Sequence, residues 1–521
     1  MSATDTGGAP KAAIKVPDRL DVESPLKELE LELAQLWALY WSDPSADARS
    51  CMCIALRELL KAHPFVRSET TVSKQEVHRF EQVGFTIDMR KFRYWLKSEE
   101  GKPYNKLKGI GVDDTVYLIS NLLRTYLPRG LHIVTATNKE TNAETVFVFR
   151  GIPKFSGMTA TDEDEESGAS AGAFFFDGHT IGDVKKAYVT EKSNGENAKL
   201  SLIRIDDLLY AIAGSKTTCA IWPADRDYFE FYPLKEGERP EGDYPVQTIC
   251  KIYSEWLRGL SPEQLQSLED EFAKHGDMAT IIAELNREWE PHIVYNTRTY
   301  LSFVSFLGPN GKSINPENIF SFFESIGVTE SDTDPVRHVS MYSVDIDSSV
   351  MPIVDKIRSD TGSEGAVLYL FDGAGNLVGL VKVKTTWYIT LRRLRELFRG
   401  FLTSLMGGVC KGIGHIPTRR KQNPDPKLWQ TKKFSDLVTA VTKKIKSECG
   451  EFGQTFVTYM LKRLEDELGG RSIADCIADQ QPIPFPTNDA VCEMTSLMVE
   501  VKKLNTVFNT AFPQLVEDCS A

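Results

Sequence analysis

The feature that most constrains the fold of this 521-residue chain is a series of short segments rich in β-branched residues, which begins near Leu131. Such segments, bounded by polar or glycine-containing turns, are typical of β-strands. The predicted strands are 132–137, 145–149, 187–190, 200–205, 208–213, 279–285, 292–296, 300–307, 338–342, 366–371 and 377–383. Helical patterns at 246–260 and 262–275 interrupt the series. The middle of the chain is therefore predicted to be an α+β domain built around antiparallel sheet.

Helical patterns flank this central region on both sides. Leu26, Leu29, Leu33, Leu36 and Tyr40 recur at spacings of three and four residues, which predicts an amphipathic helix. The domains that we predict are a disordered tail over 1–24, an N-terminal helical appendage over 25–127, a central domain over 128–400 and a C-terminal helical domain over 401–521.

The composition favours an ordinary globular protein of a reducing compartment. Charged residues make up 26% of the chain and hydrophobic residues 41%, and no apolar run approaches the roughly 20 residues that span a bilayer. The polar N-terminus has the features of neither a signal nor a transit peptide. We therefore expect a cytoplasmic or nuclear protein without a membrane partner. The nine cysteines are scattered without metal-binding spacing and indicate free thiols.

The charge of the chain is distributed unevenly. The whole chain has a net charge of −12, but the stretch 382–433 contains thirteen lysines and arginines against two acidic residues and so carries +11. A local basic strip can bind phosphates on an acidic protein, because counterion release depends on the contact surface. The alternative is a solvated cationic helix face. The candidate phosphate-binding residues of this strip are Arg392, Arg393, Arg395, Arg419, Arg420 and Lys421.

The segment Lys192-Ser-Asn-Gly-Glu196 lies between two predicted strands and contains a candidate nucleophile. A lysine amine attacks only when it is neutral, so its pKa has to fall from about 10.4 through burial or nearby positive charge. Asn194 and Gly195 provide a turn whose backbone can approach a ribose or a phosphate closely. The alternative is a surface hairpin with an Asn-Gly turn.

Four further positions could act with such a lysine. Lys382 and Lys384 lie two residues apart in a predicted strand, and therefore on one face, where two cations could neutralise a transferring phosphoryl group. Glu364 stands at the entrance to a predicted strand and suits a magnesium ion. Glu284 lies in an apolar strand, so its burial would require a ribose hydroxyl, a basic group or a metal as partner. The alternatives are a solvated strand face for the lysines and an ordinary salt bridge for Glu284.

The loop Gly308-Pro-Asn-Gly-Lys-Ser313 resembles a phosphate-binding P-loop at its end only. That pattern requires a glycine five residues before Gly311, where Phe306 stands. The sequence therefore does not predict a P-loop at this position.

In their order along the chain, the candidate segments resemble the motifs of the covalent nucleotidyltransferase superfamily of DNA ligases, RNA ligases and mRNA capping enzymes. The matching segments are Lys192-Ser-Asn-Gly for the nucleophile motif, Gly214-Ser-Lys216 for the next, and then Glu284, Glu364-Gly365 and Lys382-Val-Lys384. Over roughly 127–400 the chain is most similar to the phage-type RNA ligases that repair broken tRNA. Their Arg-Gly and Lys-Phe elements resemble the single segment Arg150-Gly-Ile-Pro-Lys-Phe155 here.

The resemblance implies an ATP-dependent RNA ligase whose nucleotidyltransferase domain contains an ATP-grasp-like antiparallel sheet. Such an enzyme seals 5′-phosphate and 3′-hydroxyl RNA ends through a lysyl-AMP intermediate, here on Lys192. The cofactors that it implies are ATP and Mg²⁺ or Mn²⁺. The implied partners are broken or processed RNA such as tRNA, bound in part by the basic strip, and an end-healing kinase or phosphatase.

The resemblance also assigns roles to individual residues. The implied catalytic residues are Lys192, Lys382, Lys384 and Glu364, and the implied metal ligands are Glu364 and Glu284. The implied nucleotide-binding residues are Glu191, Asn194, Gly195, Lys216, Glu284, Arg150 and Lys154. One alternative is an mRNA capping guanylyltransferase, which the helical C-terminal pattern disfavours because that family ends in a β-barrel. The other is a non-catalytic RNA-binding protein that retains the fold.

Overall fold

In the computed structural model the described residues are 26–42, 45–102, 116–117, 121–155, 157, 175–176, 178–234, 244–276, 279–288, 293–294, 296, 298–308, 311–390, 392 and 443. The chain forms two compact units. The first comprises Met1–Asn286, Arg298–Pro352 and Gly365–Val383, and the second comprises Arg287–Thr297, Ile353–Glu364 and Lys384–Ala521. Among the described helices, none combines the length and the apolarity that crossing a membrane requires.

The helices are α1 (Lys27–Ser42), α2 (Ala46–Ala62), α3 (Met89–Trp95), α4 (Asn121–Tyr126), α5 (Tyr228–Phe231), α6 (Pro245–Gly259), α7 (Pro262–His275), α8 (Pro316–Ser325) and α9 (Met351–Ser359). The strands are β1 (Val66–Lys74), β2 (His78–Ile87), β3 (Leu131–Asn138), β4 (Glu144–Phe149), β5 (Lys186–Glu191), β6 (Glu196–Ile205), β7 (Leu208–Gly214), β8 (Cys219–Pro223), β9 (Thr280–Asn286), β10 (Tyr300–Leu307), β11 (Val336–His338), β12 (Met341–Asp345), β13 (Gly365–Phe371) and β14 (Leu377–Lys384).

These strands form three sheets. The first sheet has the order β1-β2-β3-β4, the second β11-β10-β9-β6-β7-β8, and the third β12-β5-β13-β14. Apart from the parallel pair of β10 and β11, the strand pairs whose registers are described are antiparallel. The predicted α+β class with antiparallel sheet is confirmed.

One face of the first sheet packs on the two N-terminal helices. Leu29 and Leu33 of α1 share a core with Leu60 of α2 and with Ile133 and Val148 of the sheet, and all five are fully or almost fully buried. The spacing of the two α1 leucines follows the predicted helical periodicity. Because each buried leucine contributes about 1.5–3 kcal/mol, this packing fixes the helices on the sheet.

The prediction that 25–127 is helical is wrong between Val66 and Ile87. This segment forms β1 and β2, which pair antiparallel with each other, and β2 pairs in turn with β3 over His78–Phe85. The proposed boundary at 127–128 would therefore divide a continuous sheet. The strand signal was missed because β1 is an edge strand in which only Val66 is buried, so its sequence has no apolar alternation.

The second sheet is covered on both faces. On one side it packs on α6, α7 and α8, through residues such as Tyr253 and Phe323. On the other side, Phe80 and Phe147 of the first sheet pack against Tyr210 and other residues of β6–β8. Because both faces are buried, β7 and β9 contain nearly continuous apolar runs rather than alternating ones.

Most of the other predicted elements are found at the expected places. The structure confirms, within a few residues, the hairpin of β3 and β4, the strands β5, β6, β7, β9, β10, β13 and β14, and the helices α6 and α7.

The predicted strand at 292–296 is wrong, since its described residues, 293, 294 and 296, have no strand conformation. The predicted strand at 338–342 is also wrong, because the chain leaves the second sheet after His338 and enters the third at Met341. The predicted tail over 1–24 and C-terminal domain over 401–521 lie outside the described residues, apart from Lys443.

The turn between β6 and β7 is tied to the first sheet. Asp206 and Asp207 have positive φ angles of 46° and 64°, as the tight turns of antiparallel hairpins require. The buried His78 ring joins the two sheets, since its Nδ1 lies 2.8 Å from the hydroxyl of Tyr210 and its Nε2 lies 3.0 Å from a carboxylate oxygen of Asp206. Asn138 donates a further bond of 2.7 Å to the same oxygen.

A buried lysine lies between the first two sheets. Lys199 of β6 is fully buried, and its Nζ donates to the carbonyl of Gly130 at 2.5 Å and lies 4.4 Å from the centre of the Phe149 ring. Within the described residues it has no carboxylate partner. Burial lowers the pKa of Lys199 to about 8, and burial together with the charge of Lys199 lowers the pKa of His132 to about 3. Lys199 therefore opposes folding whenever it is charged.

We predict that Lys199→Met raises the free energy of unfolding at pH 7 by up to about 3 kcal/mol. Native Lys199 loses its proton near pH 8, whereas the unfolded lysine loses it near pH 10.4, so wild-type stability gains from rising pH in this window. The advantage of the variant should therefore shrink between pH 8 and 10. Urea unfolding of both proteins across this range measures it.

The exposed Lys274 of α7 provides the control. Lys274→Met should change the free energy of unfolding by less than about 0.5 kcal/mol. A difference between Lys199→Met and wild type that stays constant from pH 7 to 10 would contradict the prediction.

Candidate active site

The candidate nucleophile Lys192 lies where the chain crosses from one sheet to another. It follows β5, which pairs with β12 and β13 in the third sheet, and precedes β6, which pairs with β7 and β9 in the second. Ser193 and Asn194 are buried, and Lys192 itself is half-buried. The segment is therefore not a surface hairpin with an Asn-Gly turn, and that alternative is wrong.

Backbone hydrogen bonds hold this crossover at both ends. The N–H of Glu191 donates to the carbonyl of Ser340 at 3.0 Å, and the N–H of Lys192 donates to the carbonyl of Gly365 at 2.9 Å. At the other end, the N–H of Gly195 donates to Oε2 of Glu284 at 3.2 Å. The backbone that carries the lysine is thus fixed by two sheets at once.

Gly195 is required here by the close approach of two backbone segments. A Cβ at this position would lie 2.4 Å from the carbonyl oxygen of Leu285 and 3.1 Å from Oδ1 of Asn286. The sequence suggested that the glycine gives room to a bound nucleotide. In the structure, the backbone that it approaches is that of β9.

Glu284 lies at the centre of the second sheet, on β9. Its Cα partners are Asn197 on β6 and Ser302 on β10, and its side chain is half-buried. The carboxylate accepts the bond from the Gly195 N–H, so one of its functions is to hold the nucleophile segment. The structure therefore bonds Glu284 to the backbone of the segment that contains Lys192, Asn194 and Gly195.

Lys382 is also in the first unit. Lys382 lies on β14 and is half-buried, and its backbone forms a short parallel bridge with Gly157. Lys384, the last residue of the same strand, belongs to the second unit by its contacts.

Within the second unit, Lys384 and Glu364 are both buried, with 2% and 5% exposure. The carbonyl of Glu364 accepts a bond of 3.1 Å from the N–H of Thr385, and Nζ of Lys384 lies 5.7 Å from the centre of the Tyr388 ring. A solvated strand face would leave Lys384 exposed. That alternative is therefore wrong for Lys384.

Arg150 occupies a structural position. Its side chain is fully buried, donates to the carbonyl of Thr125 at 2.8 Å and lies 5.3 Å from the Trp37 ring. A Cβ on Gly311, whose φ is +68°, would come within 2.5 Å of its guanidinium. Burial lowers the pKa of Arg150 to about 10. These contacts join α1 to the loop after β10, and a contact of Arg150 with a nucleotide stays a prediction.

The other predicted site residues are Lys154, Lys216, Arg392 and the rest of the basic strip. Lys154 is half-buried, with its Nζ 5.8 Å from the centre of the Tyr117 ring, whereas Lys216 is exposed between β7 and β8. Arg392 is half-buried in a helical position. The residues of the basic strip that lie outside the described residues are Arg393, Arg395, Arg419, Arg420 and Lys421.

The sequence analysis assigned no role to four residues that form a hydrogen-bond network next to the Lys192 segment. Ser193 and Asn286 are joined by two hydrogen bonds, of 3.0 and 3.2 Å, and Ser302 and Arg337 extend this network. Asn286 could have been found, because it lies two residues after Glu284 on one strand and so faces the same side. Nothing in the local sequence indicated Arg337, whose partners are far away along the chain.

The described residues contain no group of three histidine, cysteine, aspartate or glutamate side chains that could hold a metal ion. Mg²⁺ keeps several waters and is commonly held by one or two carboxylates together with substrate phosphates. Glu284 and Glu364 are carboxylates of the required type. They remain the predicted ligands.

The sequence matches no protein-family model. It matches no curated protein either. Among solved structures, the chain is similar to the RNA ligase of Naegleria gruberi. An apo mutant of that enzyme has 15% sequence identity and a TM-score of 0.26, with 40% of this chain and 52% of that chain covered.

Two further structures of the same ligase have similarly low identities and TM-scores. A mutant with AMP and Mn has 14% identity and a TM-score of 0.24, with 40% of this chain and 52% of that chain covered. The ligase with PPi has 9% identity and a TM-score of 0.24, with 62% and 96% covered. The chain thus spans about half the length of the ligase in the first of these structures.

We predict that Gly195→Ala lowers the free energy of unfolding by about 1–3 kcal/mol, because the new methyl group would collide with backbone rather than with a movable side chain. Chemical unfolding measures this effect. Gly259→Ala at the end of α6 is the control, since a Cβ there meets nothing within 4 Å, and it should be neutral or slightly stabilising. Equal stability of both variants would contradict the close approach.

Proposed function

We propose that this protein is an ATP-dependent RNA ligase that forms a lysyl-AMP intermediate on Lys192. The observation that carries the proposal is the position of the Lys192-Ser-Asn-Gly segment. It is an anchored crossover between two sheets, with Glu284 on the neighbouring strand bonded to it. The order of the other motif-like segments along the chain supports the same assignment.

The chemistry proposed for the first step is an in-line phosphoryl transfer. The neutral amine of Lys192 forms a P–N bond to the α-phosphorus of ATP while the bond to the bridging oxygen breaks. Pyrophosphate leaves with the electron pair, and the amine nitrogen releases one proton to solvent. The backbone bonds of Glu191 and Lys192 reduce the freedom of the attacking residue before the reaction. Such preorganisation accounts for much of the rate of a positioned nucleophile.

The remaining candidate residues have charges that suit this transfer. Lys382 and Lys384 are proposed to contact the α-phosphate and to stabilise the charge that develops on it. Glu284 is proposed to contact the ribose beside its bond to Gly195. Glu364 is proposed as a ligand of Mg²⁺, which when bound would neutralise phosphate charge, and a metal is the alternative partner proposed for Glu284.

In the later steps AMP moves to an RNA 5′-phosphate, and a 3′-hydroxyl displaces it to give a phosphodiester. The basic strip around Arg419–Lys421 is proposed to bind the RNA backbone through its phosphates. Repair of broken RNA such as tRNA, with an end-healing kinase or phosphatase as a further partner, is the proposed role.

We predict that the wild type gains about 329 Da, one AMP, when incubated with ATP and Mg²⁺. The phosphoramidate bond should be labile to acid and stable to alkali. Lys192→Ala should form no adduct, whereas Lys186→Ala should form it normally, because Lys186 pairs with Glu317 at the far end of β5, the strand that precedes Lys192. Intact-mass spectrometry measures the adduct.

Three outcomes would count against the ligase assignment. An unchanged adduct in Lys192→Ala would place the nucleophile elsewhere. An adduct with GTP and none with ATP would favour a capping guanylyltransferase. No adduct with either nucleotide would favour a non-catalytic RNA-binding protein.

We also predict that Lys382→Ala and Lys384→Ala each slow lysyl-AMP formation by about two to three decades, because the loss of one preorganised charge commonly costs about 3 kcal/mol of barrier. Single-turnover labelling with α-labelled ATP measures the rate, and circular dichroism checks that each variant is folded. A near-wild-type rate in both variants would remove these lysines from the mechanism.

A further inference from the structure

Arg337 reaches the residues on both sides of Lys192. It lies at the centre of β11, the edge strand of the second sheet, opposite Ser302 of β10. Its side chain is only 9% exposed. A buried guanidinium with several fixed partners positions the groups that it contacts, because its planar fork is rigid.

The first set of contacts from Arg337 reaches Glu191, the residue before Lys192. Nη2 of Arg337 donates to both carboxylate oxygens of Glu191 at 3.3 Å, and Nη1 donates to Asp332 at 2.9 Å. The guanidinium also lies 5.0 Å from the centre of the Tyr300 ring. Arg337 is therefore held by two carboxylates and an aromatic ring.

The second set of contacts is a chain of hydrogen bonds that reaches Ser193, the residue after Lys192. Nε of Arg337 donates to the hydroxyl of Ser302 at 3.3 Å, and Asn286 donates to the same hydroxyl at 3.3 Å. Asn286 in turn donates to the hydroxyl of Ser193 at 3.0 Å. Ser302, Asn286 and Ser193 are all at least 96% buried, so water cannot easily replace these bonds.

The topology explains why one arginine can reach both flanks. The chain passes between the second and third sheets at Lys192 and again at 338–341, where β11 leads to β12. The two crossovers are bonded to each other through the N–H of Glu191 and the carbonyl of Ser340. Arg337 stands at the start of the second crossover and holds the end of the strand that leads into the first.

We propose that Arg337 is a positioning residue for Lys192, acting through Glu191 on one side and through Ser302 and Asn286 on the other. The inference rests on the proposed function, since it concerns the rate of lysyl-AMP formation. It also assigns Glu191 to the support of the nucleophile, whereas the family resemblance assigns Glu191 to nucleotide binding. The two assignments predict different kinetics.

The test uses the full-length protein in single-turnover adenylylation with α-labelled ATP over a range of concentrations. Arg337→Met should lower the maximal rate by about 10- to 100-fold with little change in the ATP concentration that gives half of it, because a displaced nucleophile reacts slowly but leaves ATP binding intact. Arg337→Lys should recover only part of the rate, because lysine cannot form the forked bonds.

A double-mutant cycle with Glu191 separates positioning from nucleotide binding. If both residues act through one contact, Glu191→Ala should also lower the maximal rate, and Glu191→Ala with Arg337→Met should be hardly slower than either alone. If Glu191 instead contacts ATP, its variant should raise the half-saturating ATP concentration, and the two effects should multiply. The second result would overturn the proposal.

Two further variants test whether a lower rate in Arg337→Met comes from a general disruption of the fold. Ser302→Ala removes the hydroxyl that accepts bonds from Arg337 and Asn286. It should lower the maximal rate by a smaller factor than Arg337→Met, without changing the half-saturating ATP concentration. Arg298→Met is the matched control, because Arg298 packs 4.8 Å from the same Tyr300 ring but bonds to the carbonyl of Asp334 rather than to Glu191. It should react at the wild-type rate.

The outcomes distinguish this inference from the function on which it rests. A wild type that forms no AMP adduct overturns the proposed function and the inference with it. A wild type that forms the adduct while Arg337→Met and Ser302→Ala keep the full maximal rate overturns the inference alone. A loss of rate in Arg298→Met equal to that in Arg337→Met would also overturn it, because the effect would then come from the Tyr300 region generally.

Discussion

The arrangement of the candidate site depends on a few hydrogen bonds at the crossover between β5 and β6. Because these strands belong to different sheets, the backbone between them has no continuous ladder to satisfy its polar groups, and buried groups of this kind require partners. Ser340, Gly365 and Glu284 provide them. A backbone segment held in this way has little conformational freedom, so the Cα atom of Lys192 has a fixed position. This is the physical condition for a positioned nucleophile.

The packing of the second sheet makes this condition stable. β9, which carries Glu284 and Asn286, lies in the interior of that sheet between β10 and β6. Helices cover one face of the sheet and the first sheet packs on the other. Side chains that point from such a strand toward the crossover are held by a rigid support. The buried Lys199 between the two sheets is a destabilising element in this otherwise apolar packing, and its charge gives the stability of the fold a dependence on pH.

Much of the central fold could be predicted because its signals are local. Apolar runs and turn residues identified β3 to β7, β9, β10, β13 and β14, and apolar spacing identified α6 and α7. The errors occurred where the local pattern and the final environment differ. The edge strand β1 is almost entirely solvated and has no apolar alternation, and the segment at 338–342 has strand composition throughout although the chain changes sheets within it.

The candidate nucleophile, its glycine and the charged residues that could act with it were identified from residue type and spacing, because these are local properties of the chain. Three features could be seen only in the folded chain. Lys192 lies on an anchored crossover, Lys384 is buried, and hydrogen bonds link Arg337 to both neighbours of Lys192. These features depend on pairings between distant segments. Glu191 contacts Arg337, 146 residues further along the chain, and no periodicity within either segment encodes such a contact, since it arises only when separate strands assemble into sheets.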